Sequence, residues 1–141
     1  MGKNNFFRER ILTHAQQLYQ MRLSWPGFTS SRSGAVTFWQ GQLTPTSMSD
    51  TYTLCISYKP PRRPEVTVIT PRLRTLSGKR IPHTFSGDKL CLHIFGEWHG
   101  GKAIAHTIVH WATFWLFFYE TWLLTEKWLG AGHEPPPEET Q

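Results

Sequence analysis

Three prolines crowd into five residues, Pro60, Pro61 and Pro64, between two runs that otherwise read as strands. Proline fixes φ and has no N–H to give a ladder, so this segment is neither helix interior nor central strand. Before it, residues 51–58 alternate. Tyr52, Leu54, Ile56 and Tyr58 fall on one face, and Thr51, Thr53, Cys55 and Ser57 on the other. After it, residues 65–70 carry β-branched Val66, Val68 and Ile69, which suit a pleated surface. The chain is therefore expected to run strand, stiff corner, strand.

An earlier strand is predicted over 35–43, where Val36, Phe38 and Gln40 alternate with Thr37, Trp39 and Gly41. Residues 29–34 and 44–50 read as loops because Ser, Thr, Gly and Pro dominate them. Phe7, Ile11, Ala15, Leu18 and Met21 recur at helical spacing and predict an amphipathic helix over about 6–22. Arg8, Glu9, Gln16 and Gln17 lie on its other faces, and Pro26-Gly27 stops it. From Pro71 to about Leu90 the chain is basic and mostly irregular. A stretch that long without regular structure is usually functional. A short strand or turn is expected over 91–95, and one or two helices from Lys102 to about Trp128. The order defines an α+β class: a small antiparallel meander with helices packed on one side.

At 141 residues the chain is expected to form one domain, 1–129, followed by a flexible Pro- and Glu-rich tail, 130–141. The segment from Thr107 to Leu124 is aromatic enough to raise a membrane span. Only nine uncharged residues separate His110 from Glu120, however, against the roughly 20 apolar residues a spanning helix needs. A buried helix is expected instead, with no membrane partner. The opening residues, Met1-Gly2-Lys3-Asn4-Asn5-Phe6-Phe7, form no signal peptide, so the cytoplasm is the expected location and both cysteines stay reduced. The formal charge is +5. Lys59, Arg62, Arg63, Arg72, Arg74, Lys79 and Arg80 cluster in one stretch, opposed by Glu65 alone. This patch reads first as a solvated basic face, and otherwise as a surface for an acidic protein tail or nucleic acid.

Two cysteines are present without Cys-x-x-Cys spacing, so a zinc ribbon is unsupported. Cys91 follows the irregular region, where a thiol can be accessible and reactive. His83 precedes it by eight residues and offers a donor or a titratable group. Lys89 and Arg80 are candidates to supply a positive field. Cys55 sits inside a predicted strand and reads as an inert packed thiol. His106 and His110 have i,i+4 spacing, and Cys91-Leu92-His93 is not far off in sequence. No Glu follows His106 as an HExxH site requires, so polar contacts to a loop are the expectation and no metal is assigned.

These pieces, in this order, resemble the ubiquitin-conjugating (UBC-fold) family. The resemblance spans about residues 6–125. Phe38-Trp39-Gln40-Gly41 resembles the family's first strand, and Tyr58 to Val66 its proline corner. Ile81-Pro82-His83 stands where the family has His-Pro-Asn. Leu90-Cys91-Leu92 resembles the active-site triplet and Trp98 the later tryptophan. His83 departs from the family's asparagine. The aromatic block around Trp111, Tyr119 to Leu123 and Trp128 to Glu134 looks like the bacterial ubiquitin-conjugating-like proteins of CBASS anti-phage operons. The resemblance implies a UBC-like fold and a transferase. Its Cys91 would carry a partner's C-terminus as a thioester, with His83 at the oxyanion-stabilising position. The implied partner is a cGAS-like nucleotidyltransferase or a ubiquitin-like protein, with an activating enzyme upstream and no cofactor at this step. A catalytically silent binding module of the same fold, or a small basic nucleic-acid binder, stay open as alternatives.

Overall fold

The computed structural model describes residues 10–92 and 97–130. It is an α+β domain: helix α1 (His14–Ser24), six antiparallel strands, and helix α2 (Ile108–Thr125). The strands are β1 (Thr29–Ser33), β2 (Val36–Leu43), β3 (Tyr52–Tyr58), β4 (Glu65–Thr70), β5 (Thr84–Phe85) and β6 (Lys89–Leu90). They form one sheet in the order β1-β2-β3-β4-β6-β5. From β1 to β4, neighbours in sequence are neighbours in space, so hairpins and a corner suffice; the chain then runs through residues 71–83 to β5, and β6 turns back to lie between β5 and β4.

The alternation read in the sequence sets the two faces of the sheet. Trp39, Leu43, Tyr52, Leu54, Ile56, Tyr58, Val66 and Val68 are buried beneath the helices. Cys55 and its neighbours Thr53 and Ser57 lie half-buried on the opposite face. The α2 helix closes the core with Ile108, Val109, Ala112, Trp115, Leu116, Tyr119 and Trp122. Its one acid, Glu120, is not wasted in that apolar setting. It accepts hydrogen bonds from Ser49 Oγ at 2.6 Å and Tyr52 OH at 2.8 Å, and burial together with this carboxylate pushes the Tyr52 phenol up. Among the described residues no helix is long and apolar enough to cross a membrane.

Three expectations change. The first helix begins at His14, so residues 10–13, expected to be helical, are not, and residues 6–9 lie outside the described residues. Thr13 stops it: its Oγ1 accepts from Gln16 N at 3.1 Å, while Gln16 Oε1 accepts from Thr13 N at 2.8 Å. This Thr-x-x-Gln capping box satisfies two end donors at once, and it outweighs the apolar spacing that runs on upstream. Ile11 is accordingly exposed. Gln17, placed on a polar face by the periodicity, is buried at 1%. Its Nε2 donates to Lys102 O at 3.0 Å and its Oε1 accepts from Ile104 N at 2.9 Å, tying α1 to the approach to α2. Residues 29–33, read as loop, form edge strand β1. All five are exposed, so no apolar alternation marked them. The Ser33↔Val36 pairing leaves a two-residue turn at Gly34-Ala35 with Gly34 at φ 60°, the positive φ that tight hairpins ask of glycine.

The C-terminal region also divides differently. A short 3-10 turn at Ile104–His106 precedes α2. His106 and His110 therefore do not share one helical face. His106 Nε2 meets Ser24 Oγ at 3.1 Å, and His110 packs edge-on to Trp25 at 5.5 Å. Both are contacts to the end of α1. His93 is outside the described residues, among which no cluster of three metal-binding side chains occurs.

Candidate active site

The irregular region after Pro71 folds into a small hairpin on the sheet. Thr84 pairs with Leu90 and Phe85 with Lys89, and β6 joins the sheet through Thr67↔Lys89. One step beyond, Cys91 N donates to His83 O at 2.9 Å. The eight-residue spacing thus becomes a direct opposition: His83 and Cys91 face each other across the mouth of the hairpin. Cys91 is half-buried, directly after a strand. His83 is 9% exposed and has φ 52°. A non-glycine residue in the left-handed region is uncommon, with His, Asn and Asp the types most often found there.

Several contacts hold this mouth. Trp115 Nε1 on α2 donates to His83 O at 2.9 Å, so that carbonyl accepts two hydrogen bonds. Thr84 Oγ1 donates to Ile81 O at 2.8 Å. The His83 ring lies 5.0 Å from the Trp128 ring, tilted by 33°. Arg80 reaches the Thr84 carbonyl.

The proline corner braces the same hairpin. Pro60-Pro61 is a cis pair inside the turn closed by Arg62 N to Lys59 O, 2.9 Å. Arg63 stacks over the Phe85 ring, 4.6 Å from its centre, a cation–π contact. Glu65 pairs with Lys89 at 2.9 Å. Tyr58 meets Trp98 edge-on at 5.5 Å. Motif residues far apart in sequence therefore meet around one hairpin.

The two candidate field residues behave differently. Arg80 sits on the hairpin backbone, beside the His83 loop. Lys89 has its charge matched by Glu65, which reduces what it adds to a local positive field. Cys55 lies in β3, paired with Gln40 and with Thr67, which in turn pairs with Lys89 of the hairpin. Burial pushes its thiol up, which disfavours the nucleophilic thiolate.

Sequence reasoning missed the parts supplied by tertiary structure: Trp115, Trp128, and the Arg63–Phe85 contact. Trp128 was visible only as one member of an aromatic run. No local pattern announces that its partner is a histidine some forty-five residues upstream.

An N-terminal helix, an antiparallel meander, and a cysteine-bearing hairpin braced by a proline corner and a C-terminal helix are consistent with a UBC-like arrangement. The family comparison makes this specific. The model described as Type II CBASS E2 protein matches residues 17–135, most of the chain, and the protein belongs to that family. Membership supports a role in the conjugation-like machinery of CBASS anti-phage defence, alongside other CBASS components. No curated protein matches the chain.

Proposed function

We propose that this protein is a conjugating transferase that accepts a partner's C-terminus on Cys91 and passes it to an amine. The observation that supports it most is the hairpin mouth, where Cys91 N donates to His83 O at 2.9 Å with His83 held in a left-handed backbone. Residues held in sparsely populated conformations cluster at functional sites, and this one faces a half-buried cysteine.

The chemistry runs in two halves. The Cys91 thiolate attacks the carbonyl carbon of an activated C-terminus. A C–S bond forms, and the leaving group departs with the electrons of its own bond to that carbon. An acceptor amine then attacks the thioester carbon. A C–N bond forms, the sulfur leaves with the C–S electron pair, and the amine's surplus proton neutralises the thiolate. Each half passes through a tetrahedral oxyanion, which aimed hydrogen-bond donors stabilise. His83 is the proposed donor. The partner is a cGAS-like nucleotidyltransferase through its C-terminal tail, or a ubiquitin-like protein, activated upstream by another enzyme, and the setting is the cytoplasm. Mixing the protein with its activated partner should give an adduct that thiol reagents cleave. An adduct resistant to them, or none, would remove the thioester reading.

Two further outcomes follow. Cys55→Ala should form adduct at the wild-type rate, with stability lowered by about 1 kcal/mol, as is common for single substitutions. Loss of adduct with an unchanged melting curve would move the chemistry to Cys55. Arg72 and Arg74 are exposed on the loop beside α2, and the Arg74 N–H donates to Tyr119 OH at 2.6 Å. Reversing both side chains to Glu should slow adduct formation, most at low salt, because exposed charges are screened beyond about 10 Å at 0.1 M. Tight duplex binding by the wild type that disappears in this variant would favour the nucleic-acid reading.

A further inference from the structure

The segment after α2 does not simply leave the domain. Glu126 adopts a left-handed conformation, φ 61°, while its N–H closes on Trp122 O at 2.8 Å. Thr125 Oγ1 accepts from Lys127 N at 3.2 Å, and Glu126 pairs with Lys79 at 3.8 Å. The chain is thereby reversed, and Trp128 lands in an aromatic pocket. Its ring is 5.4 Å from Trp115 and 6.1 Å from Phe118 as well as 5.0 Å from His83. Gly130 then lies so close to the Phe118 ring that a Cβ there would come within 2.6 Å of Cδ2. The strap is seated at its start by a helix cap and at its end by a residue with no side chain.

Trp128 and Trp115 grip His83 in complementary ways. The Trp115 indole N–H holds the carbonyl at 2.9 Å, and the Trp128 ring covers the imidazole. Contacts to the backbone do not by themselves set the χ angles of the imidazole, and an aromatic ring packed on it restricts them. We propose that Trp128 is a positioning residue for His83, delivered by the strap Glu126 to Gly130, and that it sets the imidazole for the oxyanion in the transfer step. This rests on the function proposed above for His83 and Cys91.

The test charges Cys91 by exchange with a short peptide thioester of mercaptoethanesulfonate and follows discharge to free lysine. Trp128→Ala should lower the rate at saturating lysine by about tenfold or more, approaching the roughly 10²-fold scale of a misplaced catalytic group, with the KM for lysine unchanged. Trp128→Phe, which keeps a ring, should recover most of the rate. Gly130→Ala, which touches neither His83 nor Cys91, should produce a smaller loss by lifting the strap from Phe118. In a His83→Ala background Trp128→Ala should cost less than about twofold, because residues acting through one another are not additive. Equal losses in both backgrounds, or wild-type discharge by Trp128→Ala, would overturn the assignment. The His83 ring resonances, read without substrate, separate this from failure of the function itself. They should move in Trp128→Ala, and unchanged resonances refute the strap even if Cys91 proves to be the acyl carrier. If the wild type discharges no faster than a free cysteine thioester, the transferase reading fails, and with it the positioning role.

Discussion

Cys91→Ala should abolish the thiol-cleavable adduct altogether. A thioester needs a sulfur nucleophile, and the other thiol in the chain, Cys55, lies on the outer face of β3 with its pKa raised by burial. Cys91, half-buried like Cys55, instead follows β6 immediately at the mouth of a hairpin. The substitution should leave the fold intact. The Cys91 N–H that pairs with His83 O belongs to the backbone and survives it. Melting temperature should therefore stay near wild type, and a folded but inert protein is the expected result. Cys91→Ser gives a second reading. Its alkoxide is a poorer leaving group than a thiolate, so any ester formed should outlast the thioester and resist thiol reagents. Mass spectrometry of the adduct distinguishes the two linkages. A thiol-cleavable adduct that persists in Cys91→Ala would end the assignment of Cys91.

His83→Ala should slow onward transfer by about 10²-fold or more, the scale for losing one oxyanion donor. His83 faces Cys91 through its own backbone, and its ring is packed against Trp128. The φ of 52° makes the choice of replacement informative. Asparagine tolerates the left-handed region and presents an amide donor, so His83→Asn should recover part of the lost rate. Alanine has neither advantage, and it also removes the ring packed against Trp128, so it should lose some stability. Stability and rate must therefore be measured together. If transfer falls in His83→Ala only in proportion to the unfolded fraction, the residue braces the loop and does no chemistry. If rate is lost while the protein stays folded, and is partly restored by asparagine, the donor role stands.

Much of the sheet is legible in the sequence. Periodicity of two is a local property, so Tyr52, Leu54, Ile56 and Tyr58 announced a buried face, and they are buried. The strands at 36–43, 52–58 and 65–70 lie almost where alternation and β-branching placed them. The prolines at 60, 61 and 64 marked a corner because their restriction is covalent. The spacing of the two candidate residues is legible too: His83 and Cys91 stand eight positions apart, and they face each other across the hairpin.

What went unread shares one physical cause. Strand β1 is five exposed residues whose only support is the ladder to β2, and an edge strand needs no apolar signal of its own. Gln17 looked like a surface residue because its partners, Lys102 O and Ile104 N, lie more than eighty residues away. The start of α1 was written in Thr13 and Gln16, a short-range cap that apolar spacing concealed. Residues 71–90 read as irregular because a hairpin of two-residue strands carries too few residues to show a period. The sequence by itself determined the α+β class, the central strands, the stiff corner and the paired candidates Cys91 and His83, because those follow from covalent restriction and local periodicity. Only the tertiary structure decided how the site is held: Arg63 on Phe85, Trp115 on the His83 carbonyl and Trp128 on its ring. Such contacts join segments distant along the chain, and their geometry is set by how the helix and the hairpin pack together.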